Sequence, residues 1–299
     1  MRNHTEQNHK ESILRVLVYI QNHLDDDMSL EQLASVAHFA PCHFHRVFRR
    51  VTGEPVMEHV RRLRLERAAY RLKITSMSVT NIALAAGYET PESFTRAFGE
   101  SFGISPFRYR TDGCPLSFLP GSSTDHIAPM EHFPDFEIPA TIISDLEVAI
   151  TSFDPAKVAF VRSVGPYGSG WLAWRKLLAW AREHELLKKG TRLIGIRHDC
   201  TNVTPPDKCR YDACITVDER FVPKGDVGIQ EIGGGKHAVV SHHGYYGTRF
   251  GIYAQLCNQW APVNRRKLRA APVFEVYRKD IKLPSPWNII TTIHFPLET

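Results

Sequence analysis

No apolar run in this 299-residue chain approaches the ~20 residues needed to span a bilayer. The opening MRNHTEQNHKES lacks the apolar stretch of a secretory signal, so a cytoplasmic, nucleoid-associated location is expected. The six cysteines (42, 114, 200, 209, 214 and 257) form no CxxC pair, and Cys209 and Cys214 lack a second pair or histidines at zinc-site spacing. Reduced thiols follow, with no disulfide framework, no metal and no cofactor. The GGGK run at 233–236 lacks the spacing and hydroxyl of a phosphate loop and reads as a hairpin turn. The 15 histidines are scattered, and His242–His243 reads as a strand pair. No nucleophile stands beside a base, which argues against an enzyme.

Neither charge sign dominates. The formal net charge is +5, and residues 1–111 hold 15 basic against 12 acidic side chains. Distribution is more telling: residues 46–73 hold nine basic residues, eight of them arginine, and three acidic ones. Arginine's planar fork suits phosphates and base edges, so this stripe is a candidate nucleic-acid surface. With 43% hydrophobic residues the chain can bury a sizeable core, and its length suits two domains.

Residues 12–110 read as nearly all helix. Ile13, Leu14, Leu17, Val18 and Leu24 form an amphipathic pattern that ends at Asp25–Asp27. Ser29 is an N-cap for a short helix with Leu30, Leu33, Ala34 and Ala37, and Pro41 suits the first turn of the next. Phe44, Val47, Phe48 and Val51 make its buried stripe; Gly53 and Pro55 stop it, and a long helix follows over 56–73. The pattern then recurs. Leu30, Leu33, Ala34 and Ala37 return as Val79, Ile82, Ala83 and Ala86; Phe44, Arg46, Val47, Phe48 and Gly53 return as Phe94, Arg96, Ala97, Phe98 and Gly103.

A small helical unit that appears twice, with an outward polar face on its second helix, suits reading of the DNA major groove. The stripe in 41–52 leaves Cys42, His43, His45, Arg46, Arg49 and Arg50 outward; its repeat leaves Glu92, Ser93, Thr95 and Arg96 outward. Arginine can take guanine bidentately, or hold phosphates and so fix register without reading sequence. An 18-residue helix is ~27 Å long and, with its turns, could set two reading helices one DNA turn apart.

The runs LEQLASVAHFAPCHFHRVFRRVTGEPVMEHVRRLRLERAAYRL and IALAAGYETPESFTRAFGESFGISPFRYR give residues 10–110 a close resemblance to the AraC/XylS-type DNA-binding domain. The resemblance implies two helix-turn-helix units on a linker helix, with reading helices at 41–52 and 90–100. It implies promoter double-stranded DNA as the partner, with RNA polymerase as a further one. It turns Cys42, His45 and Arg46, and Glu92, Thr95 and Arg96, toward the bases. Cys42 stands where relatives often carry a larger or more polar residue.

Residues 112–146 turn rich in Pro, Gly and Ser and read as a linker. Beyond it, strand-like runs appear at 157–164, 193–198, 211–217, 237–243, 273–277 and 289–295, with helical segments at 170–188 and 248–260. KVAFVRSVGPYG and KHAVVSHHGYYG repeat at an offset of 79. The expected fold is therefore multidomain, α and α+β: an all-α double helix-turn-helix domain (1–111) joined to an α+β domain (147–299) of two β-α-β-β repeats.

All five tryptophans lie in this half. Trp171, Trp174 and Trp260, with Tyr167, Tyr246 and Tyr277, are placed to flank the seam between repeats as an aromatic-lined ligand site. Glu275 shares a strand face with Val273 and Tyr277. A carboxylate among aromatics suits a lipophilic cation; the same alternation also allows an exposed position paired with Arg278. The segments VAFVRSVGPYG, IGIRHDCTNVTPPDKCRYDACITVDE, GGGKHAVVSHHGYYG and FEVYRKD resemble the GyrI-like effector-binding domain, which implies a pocket for hydrophobic, often cationic compounds with Glu275 facing the ligand. The two together imply a ligand-responsive transcription regulator. The alternative is a DNA-bound protein whose second domain sequesters or hydrolyses an electrophilic toxin, or docks a protein partner.

Overall fold

The computed structural model describes residues 2–111, 146–201, 203–222, 226–244, 249–278 and 289–298. The expected linker and Cys114 lie outside these residues. The chain divides into two compact units, one helical and one built on a sheet.

The helical unit runs α1 (Arg2–Asn22), α2 (Leu30–Ala37), α3 (Pro41–Thr52), α4 (Val56–Ile74), α5 (Val79–Ala85), α6 (Pro91–Phe102) and α7 (Pro106–Thr111). α1 begins well ahead of Ile13: residues 2–12 have little to bury, but Glu, Gln and Lys are good helix formers that extend the turn already nucleated by the apolar stripe. Ser29 caps α2 in a capping box with Gln32, Ser78 caps α5 and Thr90 caps α6. Phe44, Val47 and Phe48 are buried in α3, and their repeats Phe94, Ala97 and Phe98 are buried in α6. Each buried phenylalanine contributes roughly 2–3 kcal/mol.

Two arginines hold the repeated units to their neighbours. Arg64, on α4, donates to the carbonyls of Leu24 (3.0 Å) and Asp26 (2.5 Å) past the end of α1. Arg110, on α7, does the same to Leu72 (3.3 Å) and Met77 (2.5 Å) at the end of α4. Arg64 also packs beneath Gly87, where a Cβ would lie 2.5 Å from its guanidinium; this glycine, at φ +79°, turns the chain between α5 and α6. One side chain thus ties the α1 end to the α5–α6 turn of the helical unit.

The second unit runs β1 (Val148–Phe153), β2 (Ala156–Val164), α8 (Gly170–Glu183), β3 (Leu193–Arg197), β4 (Arg210–Thr216), β5 (Gly228–Ile232), β6 (Gly235–Gly244), α9 (Arg249–Gln255, continued by a π turn over Leu256–Trp260), β7 (Val273–Tyr277) and β8 (Ile289–Pro296). Each repeat therefore carries a leading strand, β1 or β5, that the sequence pattern did not mark. β1 alternates poorly because most of its residues stay exposed, and β5 is short and opens on glycine. His242 and His243 lie on β6 as anticipated, one buried and one exposed.

The eight strands form one sheet in the order β1-β6-β8-β7-β3-β4-β2-β5. Only residues 154–155 join β1 to β2, a reach of about 10 Å. In a flat sheet those strands would lie six spacings apart, about 29 Å. The sheet must roll up. The link at 233–234 between β5 and β6 imposes the same demand. The GGGK run is therefore a crossover and not the expected hairpin turn, since β5 and β6 do not pair; a Cβ on Gly233 would lie 2.3 Å from the Phe153 ring.

Rolling gives the sheet an interior without helices. Phe153, Phe274, His237 and His294 stack there at ring separations of 4.7–6.0 Å. Asp212 is fully buried on the same face, accepting from both arms of Arg162 (2.8 and 2.7 Å) and from Gln230 (2.7 Å), with His198 at 2.6 Å. Burial pushes its carboxyl up, but Arg162 and His198 hold it well below the usual carboxylate range.

Burial, with neighbouring His237 and Arg192, lowers the His294 pKa from 6.5 to about 4. A base whose folded pKa is depressed stabilises the fold above its unfolded pKa and loses that contribution as pH falls. Stability should therefore decline between pH 6.5 and 4 by about 3 kcal/mol from this residue. Denaturant midpoints measured across that range should fall more steeply for the native chain than for His294→Phe; parallel profiles would refute the assignment.

Candidate nucleic-acid interface and ligand site

α3 and α6 present equivalent outer faces. Cys42, Arg46, Arg49 and Arg50 are exposed on α3, and His43 and His45 are half-buried. Glu92, Thr95 and Arg96 are exposed on α6. Arg46 and Arg96, matched at an offset of 50, stand on corresponding turns. His43 turns partly inward: its ring meets Phe39 at 4.9 Å and His9 at 5.4 Å, and its Nδ1 lies 3.2 Å from Arg46 Nη2. Arg50 is tied to His9 Nδ1 at 2.8 Å, and burial together with Arg50 lowers the His9 pKa. Beyond their shared apolar core, the polar start of α1 thus reaches α3 through the His9 imidazole. Arg49, Thr95 and Arg96 make no side-chain hydrogen bond or ion pair among the described residues.

The arginine stripe divides on folding. Arg62 is held between Glu54 and Glu66, at 2.8 and 3.0 Å. Although burial pushes the Glu54 carboxyl up, His59 and Arg62 bring it down to about 2. Arg67 and Arg71 both reach Asp25, at 2.7 and 3.2 Å, while Arg64 serves the α1 end. Lys73 sits over the Tyr109 ring. Most of the α4 portion is internal mortar, and the expectation of one continuous basic surface over 46–73 is corrected: the exposed cations concentrate on α3. Composition cannot separate the two because an arginine paired to a buried glutamate and one in solvent look identical in sequence.

In the sheet unit, β3 and β7 meet at the centre, and Gly195 faces Glu275 across the ladder. The two occupy equivalent positions of the repeats. α8 and α9 cover this face. Glu275 is fully buried; its Oε1 accepts from the Tyr253 hydroxyl (3.0 Å) and its Oε2 from the Tyr277 hydroxyl (2.7 Å). The chain of contacts continues from Tyr277 to Tyr211 (3.1 Å), which accepts from Trp174 Nε1 (2.8 Å). The Trp174 ring meets Tyr277 edge-on at 5.3 Å. Arg197 completes the group: its Nε lies 3.4 Å from Glu275 Oε1, and its guanidinium sits over Tyr167 (4.8 Å) and Tyr253 (5.1 Å). The alternative of an exposed Glu275 paired with Arg278 is thereby overturned.

Of the expected ligand residues, the fold brings together Glu275, Tyr277, Tyr167 and Trp174. Trp171 is 49% exposed beneath Arg175, on the outer side of α8, because the helix turns Trp174 and not Trp171 to the sheet. Trp260 is half-buried in the π turn, and Tyr246 lies outside the described residues. No group of three or more His, Cys, Asp or Glu residues is arranged to hold a metal among the described residues, and none of their helices is long and apolar enough to cross a membrane.

Comparison with known proteins agrees with both halves. The family described as GyrI-like small molecule binding domain matches residues 146–298, and a helix-turn-helix domain family matches 33–112. The transcriptional activator AarP of Providencia stuartii is 37% identical over 98 residues, 33% of this chain and 73% of that protein. Right origin-binding protein of Escherichia coli is 34% identical over 95 residues, 32% of this chain and 33% of its own length. The solved C-terminal domain of EcmrR covers 52% of this chain and 98% of its own at 21% identity, with a TM-score of 0.41. The chain is an AraC-type DNA-binding regulator with a GyrI-like small-molecule-binding domain.

Within the GyrI-like domain, sequence reasoning passed over Tyr211, Tyr253 and Arg197. The offset that aligns the repeats pairs Trp174 with Tyr253, and would have flagged the latter as its counterpart across the seam. Arg197 had no such signal, since its counterpart Tyr277 emerges only from the β3–β7 ladder, which is centred on Gly195 and Glu275 and so shifts the offset there to 80. Gly195 is as informative as any side chain: a Cβ there would lie 2.4 Å from the Tyr211 hydroxyl and 3.0 Å from that of Tyr277. Gly195→Ala should therefore force the two hydroxyls apart at a cost of about 1–3 kcal/mol. A thermal melt of the regulator should show the transition falling by several degrees; an unchanged melt would mean that the tyrosines do not pack as described.

Proposed function

We propose that this regulator reads two adjacent major-groove segments with α3 and α6, and that a small lipophilic effector acting at the Glu275 seam changes its promoter output. Arg46 and Arg96 are the base-reading pair, with Cys42, His45, Glu92 and Thr95 beside them; Arg49 and Arg50 hold phosphates, and His43 buttresses Arg46. The observation that carries this reading is the division of the arginines: those on α4 are engaged by carboxylates and carbonyls, whereas Arg49 and Arg96 stand exposed without a partner among the described residues. RNA polymerase as a partner, and work at the cytoplasmic nucleoid, follow from promoter binding.

Binding rather than turnover is the reading of the seam. The Glu275 carboxylate is closed from solvent, with two tyrosine hydroxyls and Arg197 around it. A general base needs a water within its reach and an oxygen free to take its proton, whereas both Glu275 oxygens already accept from tyrosine hydroxyls. Tyr167, Tyr277 and Trp174 supply apolar surface beside it.

On DNA selected from a random library, Arg46→Ala and Arg96→Ala should each relax preference at a different half-site, costing about 1–3 kcal/mol. Arg49→Ala should weaken binding evenly on all sequences and lower the salt slope by about one. A native chain with no sequence preference in the same titration would defeat the assignment. Incubating the chain with electrophiles such as epoxides or cyclopropyl ketones should give no turnover; hydrolysis abolished by Glu275→Gln would replace the sensor with an enzyme.

A further inference from the structure

We propose that Arg197 is the resident cation of the effector site, so that this domain discriminates against organic cations and selects uncharged aromatic compounds. The inference rests on reading the Glu275 seam as the effector site. A lipophilic cation would need a buried carboxylate and aromatic faces to lie on. Both are present, and the protein has filled them itself.

The Arg197 side chain is 5% exposed, its Nε is 3.4 Å from Glu275 Oε1, and its guanidinium lies over the rings of Tyr167 and Tyr253 at 4.8 and 5.1 Å. Charge pairing and cation–π attraction, the two contributions that would hold an incoming cation, are already made. Arginine is suited to the place because its planar group stacks on rings and stays protonated when buried. A second cation must either share one carboxylate with Arg197 or drive that guanidinium out of its pairing. Either way two like charges meet in a site shielded from water, where their repulsion is strongest. An uncharged aromatic molecule meets no such opposition: it can replace ring contacts while the Arg197–Glu275 pair stays in place. The asymmetry of the repeats supports a selected role. Arg197 occupies the position that the second repeat gives to Tyr277, and its guanidinium reaches Glu275 across the β3–β7 ladder.

The test compares two probes of similar shape on the full chain by calorimetry, the cation tetraphenylphosphonium and the neutral triphenylphosphine oxide. The native protein should bind the oxide more tightly, and Arg197→Met should raise phosphonium affinity by about tenfold or more while changing oxide affinity little. Adding Glu275→Gln to Arg197→Met should erase that gain. Arg197→Lys keeps the charge and should keep the native preference, so the proposal remains testable should the methionine variant fail to fold. Tighter phosphonium binding by the native chain or by Arg197→Lys, or an unchanged preference in Arg197→Met, would overturn the role of Arg197 while leaving the seam as the effector site. Failure of every protein to bind either probe would overturn the site reading, and the proposal with it.

Discussion

Two links of two residues, at 154–155 and 233–234, constrain everything in the sheet unit. Each must join strands that a flat sheet would hold about 29 Å apart, so the sheet has to roll. Rolling creates an interior lined by Phe153, Phe274, His237 and His294 that needs no helix to cover it. The helices then have only the outer face, and both α8 and α9 lie there. The seam between the repeats falls under them, at the β3–β7 ladder. Gly233 belongs to the same constraint, since its Cα runs against the Phe153 ring where the links pass one another.

At that ladder the duplicated halves stop being equivalent. A carboxylate on each strand would bring two like charges together in a dry site, which would push one of them to protonate. The chain instead has Gly195 opposite Glu275. The missing side chain leaves space for the Tyr211 and Tyr277 hydroxyls, and these extend a hydrogen-bonded line from Trp174 to the carboxylate. The Glu275 charge is matched by Arg197. Duplication supplied the frame, and divergence at Gly195, Arg197, Glu275 and Tyr277 made its centre chemically distinct.

The helical unit shows the opposite economy, with one residue type serving two ends. Arg64 and Arg110 reach helix-end carbonyls from α4 and α7, Arg62, Arg67 and Arg71 pair with carboxylates, and Arg49 and Arg96 stay free among the described residues. The internal pairs set the geometry of α4 against both helix-turn-helix units, and so fix how the exposed arginines are presented. His9 adds a further hold, from a polar stretch of α1 that carries no apolar pattern of its own.

Local periodicity was enough to determine most of the helices, the Ser29 cap, the repeat of the helical unit and most strands, because each depends on neighbours within a few residues. It also singled out Glu275, Tyr277 and Trp174, since a carboxylate inside an apolar strand and an aromatic-rich helix are visible in one dimension. The edge strands β1 and β5 escaped because the first is mostly exposed and the second is short and opens on glycine, so neither carries a clear alternation. The division of the arginines, the inward turn of His43, the outward position of Trp171 and the pairing of Arg197 with Glu275 were decided by tertiary structure alone. Each depends on which distant carboxylate, carbonyl or ring comes within reach, and that is a property of the folded chain.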